Sequence, residues 1–349
     1  MKWTKQRLNN LFFLIGVAAV VVMLVTFDIS FAELWEHLCK AGYWLIPILG
    51  VWVPIYAINA LAWQAIIRTK LQPGEHISFL RIFRLTITGY ALNYATPVGG
   101  LGGEPYRILE LSRHIGNQRA ASSVILYAMM HFVAHFFLWF SSIFIYLALA
   151  AVGDVPINTF IGTILGIIVV FCLAAFGIFA RGYRKGLVVK AIRWIGHLPG
   201  LKNWSLRFQE KHGESMRNID EQIADLYSDH KRAFWSSLSL EYLSRIVQSL
   251  EILFMLLLFG VDCGGGFSGL LLTFLHSILI LSFTSLFANL IGFLPMQLGV
   301  QEGGFVLSIA ALGLSAALGI FVSIICRVRE IIWILFGILL MKVDTTANT

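Results

Sequence analysis

Twice in this chain a long apolar stretch is broken by a Pro/Gly cluster that carries a carboxylate. The first break is Thr96-Pro97-Val98-Gly99-Gly100-Leu101-Gly102-Gly103-Glu104. The second is Leu294-Pro295-Met296-Gln297-Leu298-Gly299-Val300-Gln301-Glu302-Gly303-Gly304. Both read as Pro, then Leu-Gly, then Glu, and they fall at corresponding places in the two halves. Backbone that leaves the helix inside a bilayer is tolerated only where protein buries it or a water-filled cavity meets it. A matched pair of such interruptions is a sequence sign of a binding site between two repeats.

Composition sets the class around these breaks. Hydrophobic residues make up 58% of the 349 and charged residues only 13%, where soluble domains carry about 25% charge. The apolar runs are continuous rather than alternating, which excludes a membrane β-barrel. The fold class is therefore all-α: a polytopic transmembrane helical bundle with an inverted repeat and re-entrant Pro/Gly-interrupted segments. One integral-membrane domain covers residues 1–349. The net charge of +7 does not imply nucleic acid. The basic residues cluster between apolar runs, as cytoplasmic loops do. Cys39, Cys172, Cys263 and Cys326 lack metal or redox spacing, and Cys172 and Cys326 read as core.

Residues 1–7 are basic and precede an apolar run at 11–27, read as an uncleaved anchor rather than a signal peptide. Residues 28–42 read as a surface helix, and 43–63 span back. Arg68, Lys70, Arg81 and Arg84 mark the next segment as cytoplasmic. The apolar run at 85–95 is too short to cross, and Arg107, Arg113 and Arg119 follow the break. Cations on both flanks predict a dip that returns to the same face. Residues 120–152 and 158–180 span, joined by an external turn at Asp154 and Pro156. Residues 181–232 form a cytoplasmic amphipathic loop with 11 Lys/Arg against 6 Asp/Glu. Two helices on an anionic leaflet fit its apolar stripes. Residues 233–261 span outward. Beyond 267, a second dip from outside and two complete spans both fit before the last helix at 319–341. Both termini then lie in the cytoplasm.

Several polar groups are candidates for chemistry. Glycines at 99, 100, 102 and 103 let backbone N–H groups approach an anion. A helix starting near Glu104 would point its positive end there, with Arg107 available for a bidentate phosphate contact. Alternatively Glu104 pairs with Arg107, and the glycines only allow close packing. The ending of a nucleotide-binding P-loop is absent. Glu302 is an intramembrane carboxylate and so a functional candidate, or else a helix cap. Arg327 and Glu330 pair within the last helix, or Arg327 meets a phosphate. Glu241, Arg245, Gln248 and Glu251 share one span, and Arg245 faces the interior as a substrate contact or a structural partner. His131 and His135 lack the metalloprotease pattern and read as interhelical hydrogen-bond groups. Asn93 and Asn289, ahead of the breaks, satisfy freed backbone groups.

The run Pro97 to Arg107 (Pro-x-x-x-Leu-Gly-Gly-Glu-x-x-Arg) and the run Pro295 to Glu302 (Pro-x-x-Leu-Gly-x-x-Glu) occur in order. Arg113 follows the first and Arg327 the second. Together they resemble the flippase-like membrane domain of lysylphosphatidylglycerol synthases, over nearly the whole chain. The resemblance implies a multi-pass protein of a bacterial or archaeal inner (cytoplasmic) membrane that translocates phospholipids or polyprenyl-phosphate lipids between leaflets. The soluble aminoacyl-transferring domain of the full synthases is missing from this sequence, so lysine transfer is not expected. Expected substrate-binding residues are Gly100, Gly102, Gly103, Glu104, Arg107, Arg245, Glu302 and Arg327. No catalytic residue, metal or cofactor is expected. Expected partners are membrane lipids with anionic head groups, without nucleic acid, and a homo-oligomer stays open. A scaffold of a lipid or cell-envelope synthesis complex, or a membrane-embedded lipid-modifying enzyme, are the other readings.

Overall fold

A computed structural model describes residues 39, 41–95, 102–185, 188–197, 201–261, 265–290 and 299–346. The expected first span, the surface helix after it and Gly100 fall wholly or mostly outside them. The described residues are helical, without strands. We number the helices α1 (Gly42–Arg68), α2 (Phe79–Ala95), α3 (Glu104–Ile115), α4 (Asn117–Ala151), α5 (Thr159–Lys185) and α6 (Val188–Ile195). Then follow α7 (Lys202–Ser228), α8 (Lys231–Leu258), α9 (Gly266–Leu290), α10 (Val300–Ala311) and α11 (Ala316–Thr346). Among the described residues, α1, α4, α5 and α9 are long and apolar enough to cross a membrane. Helices α8 and α11 rise about 42 and 46 Å, enough to cross, but carry the charged residues described below.

Two faces of the bundle are recognisable from contacts. At the near face, Arg119 at the start of α4 donates to the Lys70 carbonyl and to both oxygens of Glu75, while Lys70 reaches the Gln222 carbonyl of α7. The hydrogen bonds from Arg119 hold the Glu75 carboxyl below its usual range. This brace is therefore present at neutral pH and is lost as pH falls through that lowered value. At the far face, His276 of α9 meets Asp154 at 2.9 Å, and Phe259 beyond α8 packs against Phe321 of α11.

The first break folds the chain back on itself. Arg81 at the start of α2 lies 2.8 Å from His114 at the end of α3, so both ends of this hairpin sit at the near face, as the flanking cations predict. The turn is sealed by Asn93, whose Oδ1 accepts from the Gly103 N–H at 2.6 Å. Pro105 and Glu104 suit the first turn of α3, and Gly116 at φ 80° ends it.

The second break resolves the alternative left open by the sequence. Helix α10 has 12 residues and rises about 18 Å, short of the about 30 Å of a crossing. It packs back against α9, where Thr284 donates to Ser308 at 3.1 Å, and hands over to α11 at the far face. The two hairpins thus enter from opposite faces, as an inverted repeat requires. Gly299 starts α10 at φ 80°, a conformation suited to glycine, and the Glu302 side chain caps its N–H at 2.8 Å.

Glycine contacts set the spacing of the first hairpin. A methyl group on Gly103 would lie 2.0 Å from the Gly89 carbonyl oxygen, and backbone cannot swing aside. We expect Gly103→Ala to cost about 1–3 kcal/mol of stability by overpacking. Thermal unfolding in detergent checks this. Gly162→Ala, where the added methyl meets open space, should leave the transition unchanged or raise it slightly.

Candidate functional site

A polar cavity of about 210 Å³ lies among α1, α2, α4, α8, α9, α10 and α11. Asn93 and Asn289, from the ends of the helices before the two breaks, line it together with Gln301 of α10. The cavity therefore sits between the two interruptions. Its charged lining is Arg245 and Glu251 of α8 with Arg329 and Glu330 of α11. Isolated charge at mid-depth costs about 2.5 kcal/mol or more, so the partners of each group decide its role.

Three of these four are firmly paired. Arg329 Nε donates to Glu251 at 2.7 Å, and its guanidinium stacks 4.1 Å from the Trp52 ring centre. Glu330 accepts from Arg327 at 2.9 Å and from Gln301 at 3.0 Å. Arg327 in turn holds Glu302 at 2.7 Å. Glu302 is thus both the cap of α10 and one end of a charge chain, Glu302–Arg327–Glu330–Arg329–Glu251. The chain ties the second break to α11 and α8. Of its members, Glu330, Arg329 and Glu251 line the cavity, whereas the expected contacts Glu302 and Arg327 stand behind it.

Arg245 differs. It is buried, and it donates to the neutral Gln248 at 2.8 Å and lies 2.8 Å from His131 Nδ1. Its nearest carboxylate, Glu241, stays 3.7 Å away, too far for a hydrogen bond. The Arg245 Nε–H has no hydrogen-bond acceptor among the described residues. His131 also meets Glu241 at 2.9 Å and the Tyr90 hydroxyl at 3.1 Å. The interhelical role expected of His131 is therefore found, and it joins α2, α4 and α8. His135 bonds back to the His131 carbonyl, one turn earlier on α4, at 2.9 Å.

The first break has a different arrangement from the one its glycines suggest. Arg107 is 1% exposed and does not line the cavity. It donates to Glu104 at 2.8 Å and to the Leu85 and Thr86 carbonyls. Its guanidinium sits among Trp63, Tyr90 and Tyr127, at 5.6, 4.9 and 5.4 Å from their ring centres. Each donor nitrogen is occupied, so in this conformation Arg107 braces the hairpin and presents nothing to a phosphate. Gly102 and Gly103 are buried in the turn, and Glu104 is held by Arg107 and Asn93. Of the expected contacts among the described residues, only Arg245 reaches the cavity. Among the described residues no group of His, Cys, Asp and Glu converges to hold a metal ion.

The family model for the lysylphosphatidylglycerol synthase TM region matches residues 13–337. The chain belongs to that family. No curated protein and no solved structure matches it. Membership places this lysylphosphatidylglycerol synthase TM-region protein among multi-pass membrane proteins of lipid or envelope biosynthesis or transport. The match reaches both breaks, all of the cavity and the charge chain.

Sequence reasoning passed over Arg329 and Glu251 as cavity residues of this family member. A usable signal existed. Glu241, Arg245, Gln248 and Glu251 recur every three or four residues, which puts them on one helix face. Four polar groups on one face of a membrane helix mark the side turned to a cavity.

Proposed function

We propose that this protein translocates an anionic lipid, phospholipid or polyprenyl-phosphate-linked, between the leaflets of the cytoplasmic membrane without altering it chemically. One observation carries the reading: a buried arginine, Arg245, lines a mid-bundle polar cavity while its hydrogen-bond partners are neutral and its nearest carboxylate, Glu241, stays 3.7 Å away. The other cavity charges are held by firm counter-charges, which leaves Arg245 as the group an incoming phosphate can best engage. The head group would occupy the cavity while its chains remain in lipid. The two hairpins, entering from opposite faces, suit alternating access by rocking one half against the other. The near face carries Lys70, Arg81, Arg113 and Arg119, which favours the cytoplasm for that side and for both termini.

Leaflet exchange in reconstituted vesicles tests this. The purified protein should speed exchange of labelled phosphatidylglycerol or polyprenyl phosphate well above protein-free vesicles. Labelled phosphatidylcholine, whose choline cancels the phosphate charge, should exchange more slowly. Equal rates for the neutral and anionic lipids would contradict an anion-reading site.

A further inference from the structure

The immediate surroundings of Arg245 contain more titratable groups than binding an anion needs. His131 Nδ1 lies 2.8 Å from Arg245 Nη2 and 2.9 Å from Glu241 Oε2. An arginine always donates, so facing it a ring nitrogen must offer its lone pair, and His131 Nε2 lies 3.0 Å from the same Arg245 nitrogen. An ionised carboxylate only accepts, so facing it Nδ1 must carry hydrogen. The neutral ring with hydrogen on Nδ1 satisfies both contacts, donating to an ionised Glu241 and accepting from Arg245 at Nε2. With a proton on Glu241 the contact can run the other way, its O–H donating to Nδ1 of a ring whose hydrogen sits on Nε2. Glu241 is fully buried, and its Oε1 accepts no hydrogen bond of good geometry among the described residues. Ionised, it depends largely on Arg245.

The anion site and this acid therefore compete for one arginine. With the cavity empty, Arg245 balances the charge of Glu241. A phosphate on Arg245 would add a second negative charge in a site of low dielectric, where like charges disfavour ionisation. Uptake of one proton restores the balance. The other groups around Glu241 do not supply that charge. Helix α2 brings Tyr90, and α1 brings Tyr56 behind it. Helix α3 brings Arg107, already occupied by Glu104. Helix α4 brings Tyr127 and His135 beside His131. Helix α9 shows the cavity only Thr284, Ser285 and Asn289 as polar groups. Across the cavity, Arg329, Glu251 and Glu330 are committed to their own chain.

We propose that Glu241 with His131 forms a proton site that fills when an anionic head group engages Arg245, so that one proton accompanies each lipid across the membrane. The proton comes from water on the loading side, adds to a Glu241 oxygen as an O–H bond, and leaves to water on the other side. Nothing is oxidised or reduced. The inference rests on the translocase reading above and adds its driving force.

Vesicles containing the protein and a trace of labelled phosphatidylglycerol give the test, with protein-free vesicles as the passive baseline. At equal pH on both sides the label should exchange to an even distribution. With the interior more alkaline, the label should collect in the inner leaflet, approaching about tenfold per pH unit for one proton per lipid. Reversing the gradient should reverse the accumulation. Glu241→Gln, if it folds, should exchange the label but ignore the gradient. Wild-type exchange that levels out evenly whatever the gradient would overturn the proton site and leave the translocase reading standing. No protein-dependent exchange even without a gradient would sink both.

Discussion

Arg245→Gln is expected to slow leaflet exchange of labelled phosphatidylglycerol by about tenfold or more. A hydrogen bond to a charged group contributes about 1.5–3 kcal/mol, and each 1.4 kcal/mol is about tenfold in rate or affinity. Glutamine keeps some polarity on a shorter side chain but removes the charge the phosphate would meet. Arg245→Lys separates charge from geometry. It keeps the cation and gives up the planar fork that can serve Gln248, His131 and a phosphate together. Its exchange rate should fall between wild type and Arg245→Gln. Phosphatidylcholine exchange should change less than that of the anionic lipid in both variants. Arg245→Gln that exchanges anionic lipid at the wild-type rate would remove this residue from the path.

The second large effect concerns stability. Glu251→Ala should destabilise the protein by about 3–5 kcal/mol, because it strands the Arg329 charge in the interior. The pair is close, at 2.7 Å, and both side chains are buried. The discriminating experiment adds the partner change. Glu251→Leu with Arg329→Met removes both charges and fills similar space, so it should regain most of the lost stability. Thermal unfolding in detergent reads both. A double variant as unstable as the single one would mean that the loss came from packing and not from the unpaired charge. Because Glu330 also lies 3.8 Å from Arg329, the rescue is expected to be large but incomplete.

What the sequence could and could not disclose follows from the range of the interactions. The first hairpin was legible because its evidence is local: a short apolar run, glycines, and cations on both sides. Glu302 as a cap and Arg327 beside Glu330 were legible for the same reason, since each needs a partner only three residues away. Arg107 was not. Its pairing with Glu104 is local, but its aromatic surroundings come from Trp63 on α1, Tyr90 on α2 and Tyr127 on α4. No pattern in the sequence says that three rings will close on one guanidinium and take it out of reach. Likewise Glu251 and Arg329 lie 78 residues apart, and only the packing of α8 with α11 joins them. The second hairpin was ambiguous because α9 is long enough to span. The short α10, whose 12 residues cannot, decides it. The chain thus announced where helices stop and which groups are costly to bury. Which arginine keeps a carboxylate and which is left facing a cavity depends on tertiary contacts.

The central claim is that a lipid head group passes through the cavity lined by Arg245. Photocrosslinking tests it most directly. Vesicles holding the protein would contain phosphatidylglycerol with a diazirine on its head group, and labelled peptides would be mapped by mass spectrometry. The account predicts labels on the cavity-lining turns of α4 and α8 around His131 and Gln248, reduced by excess unlabelled phosphatidylglycerol and by Arg245→Gln. Labels confined to the outer, lipid-facing surfaces, unchanged by competitor or variant, would contradict it.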